Sequence, residues 1–202
     1  MNTEKVIGKY AKIYRKALIE ANLPDPDVRV EAYKKRLEAM YASDSFRRFN
    51  IYPSTDTVHI FGVIAMCLEL KEFDLSDAQI IEIINNGFSV RRNFFRRLLS
   101  CIDLQPNAYA IAEKWNISDH DKRVQDGSIT YDYFNVGDGK IEYSISGCAY
   151  VRMFEAYGIR SLCKIFCMTD TTSYENLPKH VKFIRHSDLS DGDCCHDEVI
   201  KK

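Results

Sequence analysis

Ser128-Ile-Thr-Tyr-Asp-Tyr-Phe-Asn-Val-Gly-Asp-Gly-Lys-Ile-Glu-Tyr-Ser-Ile-Ser-Gly-Cys148 is the stretch whose reading decides the fold. Ile129, Tyr131 and Tyr133 alternate with other residues, and so do Ile141, Tyr143 and Ile145, so residues 128–135 and 140–146 are predicted as two strands. Val136-Gly-Asp-Gly139 carries the turn chemistry of a hairpin between them. Ser146-Gly147 is expected to break the second strand. Beyond it the pattern predicts a short helix over 148–157, closed by Gly158, and a further helix from about 160 through Cys167. Two more strands, 179–186 and 195–201, flank the polar turn 187–192. The C-terminal part is thus a ββααββ unit with a mainly antiparallel sheet.

Upstream of residue 128 the apolar period changes from two to between three and four. Val6, Ile7, Tyr10, Ile13, Tyr14, Ala17, Leu18 and Ala21 mark an amphipathic helix, stopped by Asn22-Leu-Pro24. Asp25-Pro26 supplies a cap and a first-turn proline for a helix to about Ser43. Residues 58–70 are almost wholly apolar and long enough for a buried helix, and His59 at its start reads as a hydrogen-bonded core residue. Ser76 with Gln79 is a capping-box pattern, and Asn85-Asn-Gly87 closes that helix. The basic pairs of Arg91-Arg-Asn-Phe-Phe-Arg-Arg97 flank a predicted core stripe of Val90, Phe94, Phe95, Leu98, Leu99 and Ile102. A last helix is predicted over 107–115. The polar stretch 116–127 then marks a boundary between a helical scaffold, 1–125, and a cysteine-rich α+β part, 126–202. The fold class is α+β.

Composition narrows the function classes. A net charge of -1 over 202 residues exerts no general pull on nucleic acid, and one arginine cluster is a weak electrostatic footprint. The longest apolar run, 60–68, is far below the ~20 residues of a membrane span. Met1-Asn-Thr-Glu-Lys5 leads into amphipathic sequence without a signal-like apolar region, and a cytoplasmic location is expected. In such a compartment the seven cysteines stay as thiols: core filler, metal ligands or nucleophiles.

Five of the seven fall after residue 147. Cys148 follows a strand and a glycine and opens a helix, where free N–H groups favour a thiolate. Cys163 and Cys167 share a helical face, with the dipole at that helix's end working against Cys167. Asp170, three residues on, can bring a carboxylate to the same pocket edge. In Cys195-His196-Asp197, strand alternation sends Cys195 and Asp197 to one side and His196 to the other. Cys148, Cys167, Cys195 and His196 are the residue types of a zinc or iron site, although their spacing lacks the short Cys-x-x-Cys knuckle.

Cys148-x-Tyr150-x-x-x-Phe154-x-x-x-Gly158, Phe166-Cys167-x-x-Asp170, Phe183-x-Arg185 and Gly192-x-x-Cys195 together resemble the C-terminal signature of the L-2-amino-thiazoline-4-carboxylic acid hydrolase family. The family pattern follows the last cysteine with Asp-Phe, where this chain has His196-Asp197. The resemblance covers roughly residues 140 to 200. It implies a bacterial protein with a helical N-terminal part, acting as a hydrolase that opens a 2-aminothiazoline-4-carboxylate ring to N-carbamoyl-cysteine without a cofactor. Cys148 or Cys167 would be the nucleophile or pocket thiol, Cys195 a further pocket member, Asp170 the partner of the amidine nitrogens and Arg185 the clamp on the substrate carboxylate. The expected partner is a small molecule, with homodimerisation allowed. The competing class is a non-catalytic ligand or metal sensor using the C-terminal cysteines.

Overall fold

A computed structural model describes residues 3–202; Met1 and Asn2, the start of the N-terminal stretch read above, lie outside the described residues. Helices come first: α1 (Thr3–Glu20), α2 (Pro26–Ala42), α3 (Asp44–Phe49), α4 (Thr57–Leu70), α5 (Asp77–Gly87), α6 (Ser89–Ile102) and α7 (Ala108–Asp126). The hairpin β1 (Ile129–Gly137) and β2 (Lys140–Cys148) follows, then α8 (Ala149–Glu155), a 3-10 turn (Arg160–Cys163), α9 (Lys164–Tyr174), β3 (Val181–Ser187) and β4 (Cys195–Lys201). The strands form one antiparallel sheet in the order β1-β2-β4-β3, so the fold is α+β. None of the described helices is long and apolar enough to cross a membrane.

The chain divides into two compact units. The first holds residues up to 51, 56–91 and 153–162. Its interior is built as the periodicity predicts: Tyr10, Tyr14, Ala17 and Leu18 of α1 and Val30, Tyr33 and Leu37 of α2 are buried, as is almost all of α4 from Ile60 to Cys67. Gly62 admits the Tyr10 ring, since a Cβ there would lie 3.2 Å from it, and the Tyr33 hydroxyl donates to the Gly62 carbonyl at 3.1 Å. Asp56 caps α4 through the His59 N–H, while the His59 ring meets the Tyr10 hydroxyl at 3.0 Å. The Ser76–Gln79 capping box opens α5 in full. Asp25, by contrast, sits at a left-handed φ of 51° and makes no side-chain cap; its carbonyl receives the Arg29 N–H instead.

The second unit holds residues 52–55, 92–152 and 163–202. Its apolar cluster joins Leu99, Tyr109 and Ala112 to Ile141, Tyr143, Val181 and Val199 on the sheet and to Leu177 in the connection before β3. Four expectations change here. Helix α7 does not stop near residue 115 but runs to Asp126, ending at Gly127 in a left-handed conformation (φ 70°). It contains no proline or glycine to break it, and its polar residues Asn116 and Arg123 face protein, not water alone. The predicted α6 core stripe is largely open: Val90 and Phe94 are each 73% exposed, with Phe95 and Leu98 also exposed, and only Leu99 is buried. Strand β2 continues through Gly147 to Cys148, because Gly147 pairs with Thr130 and a Cβ there would meet Thr130 Oγ1 at 3.0 Å. Finally, register shifts around Tyr131 break the alternation of β1. Tyr131 and Phe134 therefore both reach the core cluster, while Tyr133 turns to the other face beside His196. The hairpin turn, Asp138-Gly139, has positive φ at both positions, as a two-residue turn between twisted strands requires.

Candidate active site

Within the second unit a cavity of about 530 Å³ opens between α7, the sheet and α9. That size suits a small organic ligand. Its wall includes Cys148, Cys167, Asp170, Arg185 and Cys195, which the sequence singled out, together with Asp119, Arg123, Tyr131, Tyr150 and Asp197.

Each of these side chains is aimed by its element. Cys148 ends β2 and stands at the cap position of α8, where the N–H groups of Tyr150 and Val151 favour its thiolate; burial outweighs them and holds the thiol above its ordinary range. Cys167 was expected near a helix C-terminus. It lies instead in the first turn and a bit of α9, which begins at Lys164 and runs on through the threonine-rich residues to Tyr174. The fully buried Cys163 thiol donates to Cys167, and this bond, then burial, pushes the Cys163 proton's release upward. Asp170 is consequently mid-helix, one turn beyond Cys167 and on the same side.

Arg185 and Asp197 are the rigid centre of the wall. Asp197 is fully buried on β4, directly opposite Arg185 on β3. The guanidinium grips it with two bonds, Nε to Oδ1 at 2.8 Å and Nη2 to Oδ2 at 2.6 Å, a fork-to-fork pair. The Tyr143 hydroxyl (3.0 Å) and the Cys195 thiol (3.4 Å) complete the Asp197 shell. Arg185 also donates through Nη1 to the Cys167 carbonyl, and through Nη2 to Asp170 at 3.3 Å. Four of its five N–H donors are thus taken by the protein. Cys195 is pushed up by burial and by the negative charge of Asp197.

Asp170 is the reactive-looking carboxylate. Its side chain is 56% exposed and lines the cavity. The surrounding protein atoms raise its pKa above the usual carboxylate range; Arg185 pulls the other way, and nearby Asp197 pushes up again. A second cation stands on α7. Arg123 donates Nε to Asp119 at 2.5 Å and reaches the Tyr150 hydroxyl at 3.5 Å, over whose ring it lies at 5.4 Å. Its Nη2 makes no hydrogen bond among the described residues. Sequence reading missed Arg123 because it falls in the polar stretch 116–127; the available signal was the absence of any breaker before Gly127.

The thiol-based metal set does not come together. His196 leaves the cavity for the opposite face of the sheet, where it meets Glu142 and His186, whereas Cys148, Cys167 and Cys195 stay in the wall. Alternation along β4 is the cause, as Cys195, Asp197 and Val199 are buried and His196 and Glu198 are not. Among the described residues the grouping with ligand atoms at metal-binding separation is His186, His196 and Glu198.

Compared with protein families, residues 77–197 match L-2-amino-thiazoline-4-carboxylic acid hydrolase. The chain belongs to that family. The matched segment contains every cavity residue named above, from Asp119 to Asp197, which ties this hydrolase family's sequence pattern to the cavity. A comparison with curated proteins returned no match.

Proposed function

We propose that the chain is a hydrolase that opens a 2-aminothiazoline-4-carboxylate-like ring in this cavity, giving an N-carbamoyl-cysteine-type product. The observation that carries the reading is that Asp170, with its raised pKa, lies in one cavity with the thiols and a second cation, inside the segment that matches the hydrolase family.

The reaction balances with water alone. A water oxygen bonds to the ring carbon between nitrogen and sulfur as the C=N electron pair moves onto the ring nitrogen, and one water proton passes to Asp170. The carbon–sulfur bond then breaks with its electron pair leaving on sulfur, Asp170 returns its proton there to give a thiol, and the other water proton shifts from the new oxygen to the former ring nitrogen, leaving the carbamoyl C=O and N–H. A carboxylate of raised pKa suits both transfers, since it is a better base than an exposed aspartate and its acid form persists to higher pH. Burial raises the pKa of Cys148, which favours water over Cys148 as the nucleophile and leaves Cys148 and Cys195 as thiols shaping the pocket, with Cys167 beside them in its wall.

Arg185 received the substrate-clamp role in the sequence reading. Because its donors hold Asp197, Asp170 and the Cys167 carbonyl, we assign it the positioning of Asp170, and assign the clamp on the ring carboxylate to Arg123. The test is thiol release from 2-aminothiazoline-4-carboxylate by the purified protein, with the product identified by mass spectrometry. Arg123→Gln is expected to raise KM by ~10-fold or more while changing kcat less, the pattern for loss of a charged hydrogen bond to substrate. An unchanged KM removes Arg123 from the site; no thiol release by the parent protein removes the substrate.

A further inference from the structure

On the face of the sheet opposite the cavity, three side chains converge that the hydrolase reading does not use. His186 of β3 and His196 and Glu198 of β4 bring one ligand atom each to within 4.8 Å of one another. His186 is the extra residue of a bulge: Arg185 pairs with Asp197 and Ser187 with His196, so β3 has one residue more than its partner at this point. Bulges re-aim side chains, and here the bulge lays the His186 ring against the His196 ring, 4.6 Å between centroids and 29° apart in plane. The His186 Nε2 stands 3.7 Å from Glu198 Oε1. In a tetrahedral zinc shell, with bonds of about 2.0–2.1 Å, neighbouring ligand atoms lie about 3.3 Å apart, so the pair needs only a small closing movement.

The surroundings match those of metal-binding imidazoles. Glu142 of β2 holds His196 Nε2 at 3.2 Å, which orients the ring. Lys140 bridges Glu142 (3.1 Å) and Glu198 (2.9 Å), so its ammonium balances the two carboxylates. A divalent ion would take over that balance and release the lysine to solvent.

We propose that His186, His196 and Glu198 form a binding site for one zinc-type divalent cation, independent of the cavity and of its chemistry. Bound there, the ion ties β3 to β4 across the bulge, on the reverse side of the Arg185–Asp197 pair. Among the described residues edge strand β3 otherwise pairs only with β4, so the ion acts as a clip on the strand that carries Arg185.

The experiment is titration of the full chain with zinc by calorimetry and with cobalt(II) by absorption, alongside thermal melting. The expected result is one zinc per chain, a melting temperature that rises with zinc, and a cobalt spectrum without a thiolate-to-cobalt charge-transfer band. His196→Ala and His186→Gln should each weaken zinc at least ~10-fold, since losing even an outer-sphere partner costs that much. His186→Gln keeps the side chain's bulk and remains informative if the alanine variant disturbs the strand. No stoichiometric zinc, zinc that survives both substitutions unchanged, or a thiolate band that disappears in Cys167→Ala would each overturn the proposal.

Discussion

The two units of this chain are built from opposite kinds of interior. In the first, α4 is buried on nearly every side among apolar and tyrosine side chains, and its polar groups are paired close to home. In the second, a sheet and α7 bury an arginine, a carboxylate and two thiols around an accessible cavity. The difference teaches where free energy has gone. A dry core stabilises by close packing, whereas a buried Arg–Asp pair largely offsets its own desolvation and in return holds a geometry. The second unit keeps a preorganised wall; the first keeps the chain folded.

The sharpest way to break this contrast is to remove the cation from the wall. Arg185→Met leaves Asp197 buried without its partner and is expected to destabilise the protein by about 3–5 kcal/mol. Thermal melting should fall by ~6–20 °C, and turnover should vanish with it; a small shift would mean that the pair is ornamental. In the dry unit the comparable change is Ile64→Ala. Loss of that fully buried side chain is expected to cost about 3 kcal/mol, with KM and kcat per folded molecule unchanged. A selective change in kcat there would show that the division of labour is wrong.

A smaller effect tests the polar scaffold of the second unit away from the cavity. Asp126 accepts from the Ser54 N–H at 2.7 Å and the Ser128 N–H at 3.0 Å. Burial works against its charge, but the hydrogen bonds from Ser54 and Ser128, side chain first and then backbone, prevail and bring its pKa down to about 2. A lowered folded pKa means stability that is present above the unfolded value of 3.8 and is lost as the pH falls through about 2. After allowance for solvent screening, Asp126→Ala should cost about 1 kcal/mol at neutral pH, read as a melting shift that shrinks in acid. A shift that stays constant down to pH 2 would contradict the assignment.

The contrast also explains what could be read from the sequence. Helices α1, α2, α4 and α5 announce themselves because an apolar stripe faces an apolar core, and β4 was placed to the residue. The second half of α7 was hidden because its inward residues, Asn116 and Arg123, are polar: they face a cavity, so the period disappears from hydropathy. The same reason shortened α9, whose Thr169 and Ser173 line that cavity. The α6 stripe misled in the other direction, since Phe94 has the right spacing for a core but stands in the open. Of the site itself, Cys148, Cys167, Asp170, Arg185 and Cys195 were legible as chemistry-bearing residues, and all five line one cavity. The bonding of Arg185 to Asp197 was not, because a cross-strand pair depends on a register that no local pattern encodes.

The central claim is that Asp170 is the proton-transferring group of the cavity, and one paired measurement tests it: turnover of 2-aminothiazoline-4-carboxylate and melting temperature, on the same preparations of the parent chain and Asp170→Asn. The raised pKa means that the fold disfavours the carboxylate, a penalty fully present above the folded pKa and gone below the unfolded 3.8. Turnover in Asp170→Asn is therefore expected to be lower by ~100-fold or more, with a melting temperature at neutral pH that is unchanged or higher. Turnover that survives the substitution would contradict the claim.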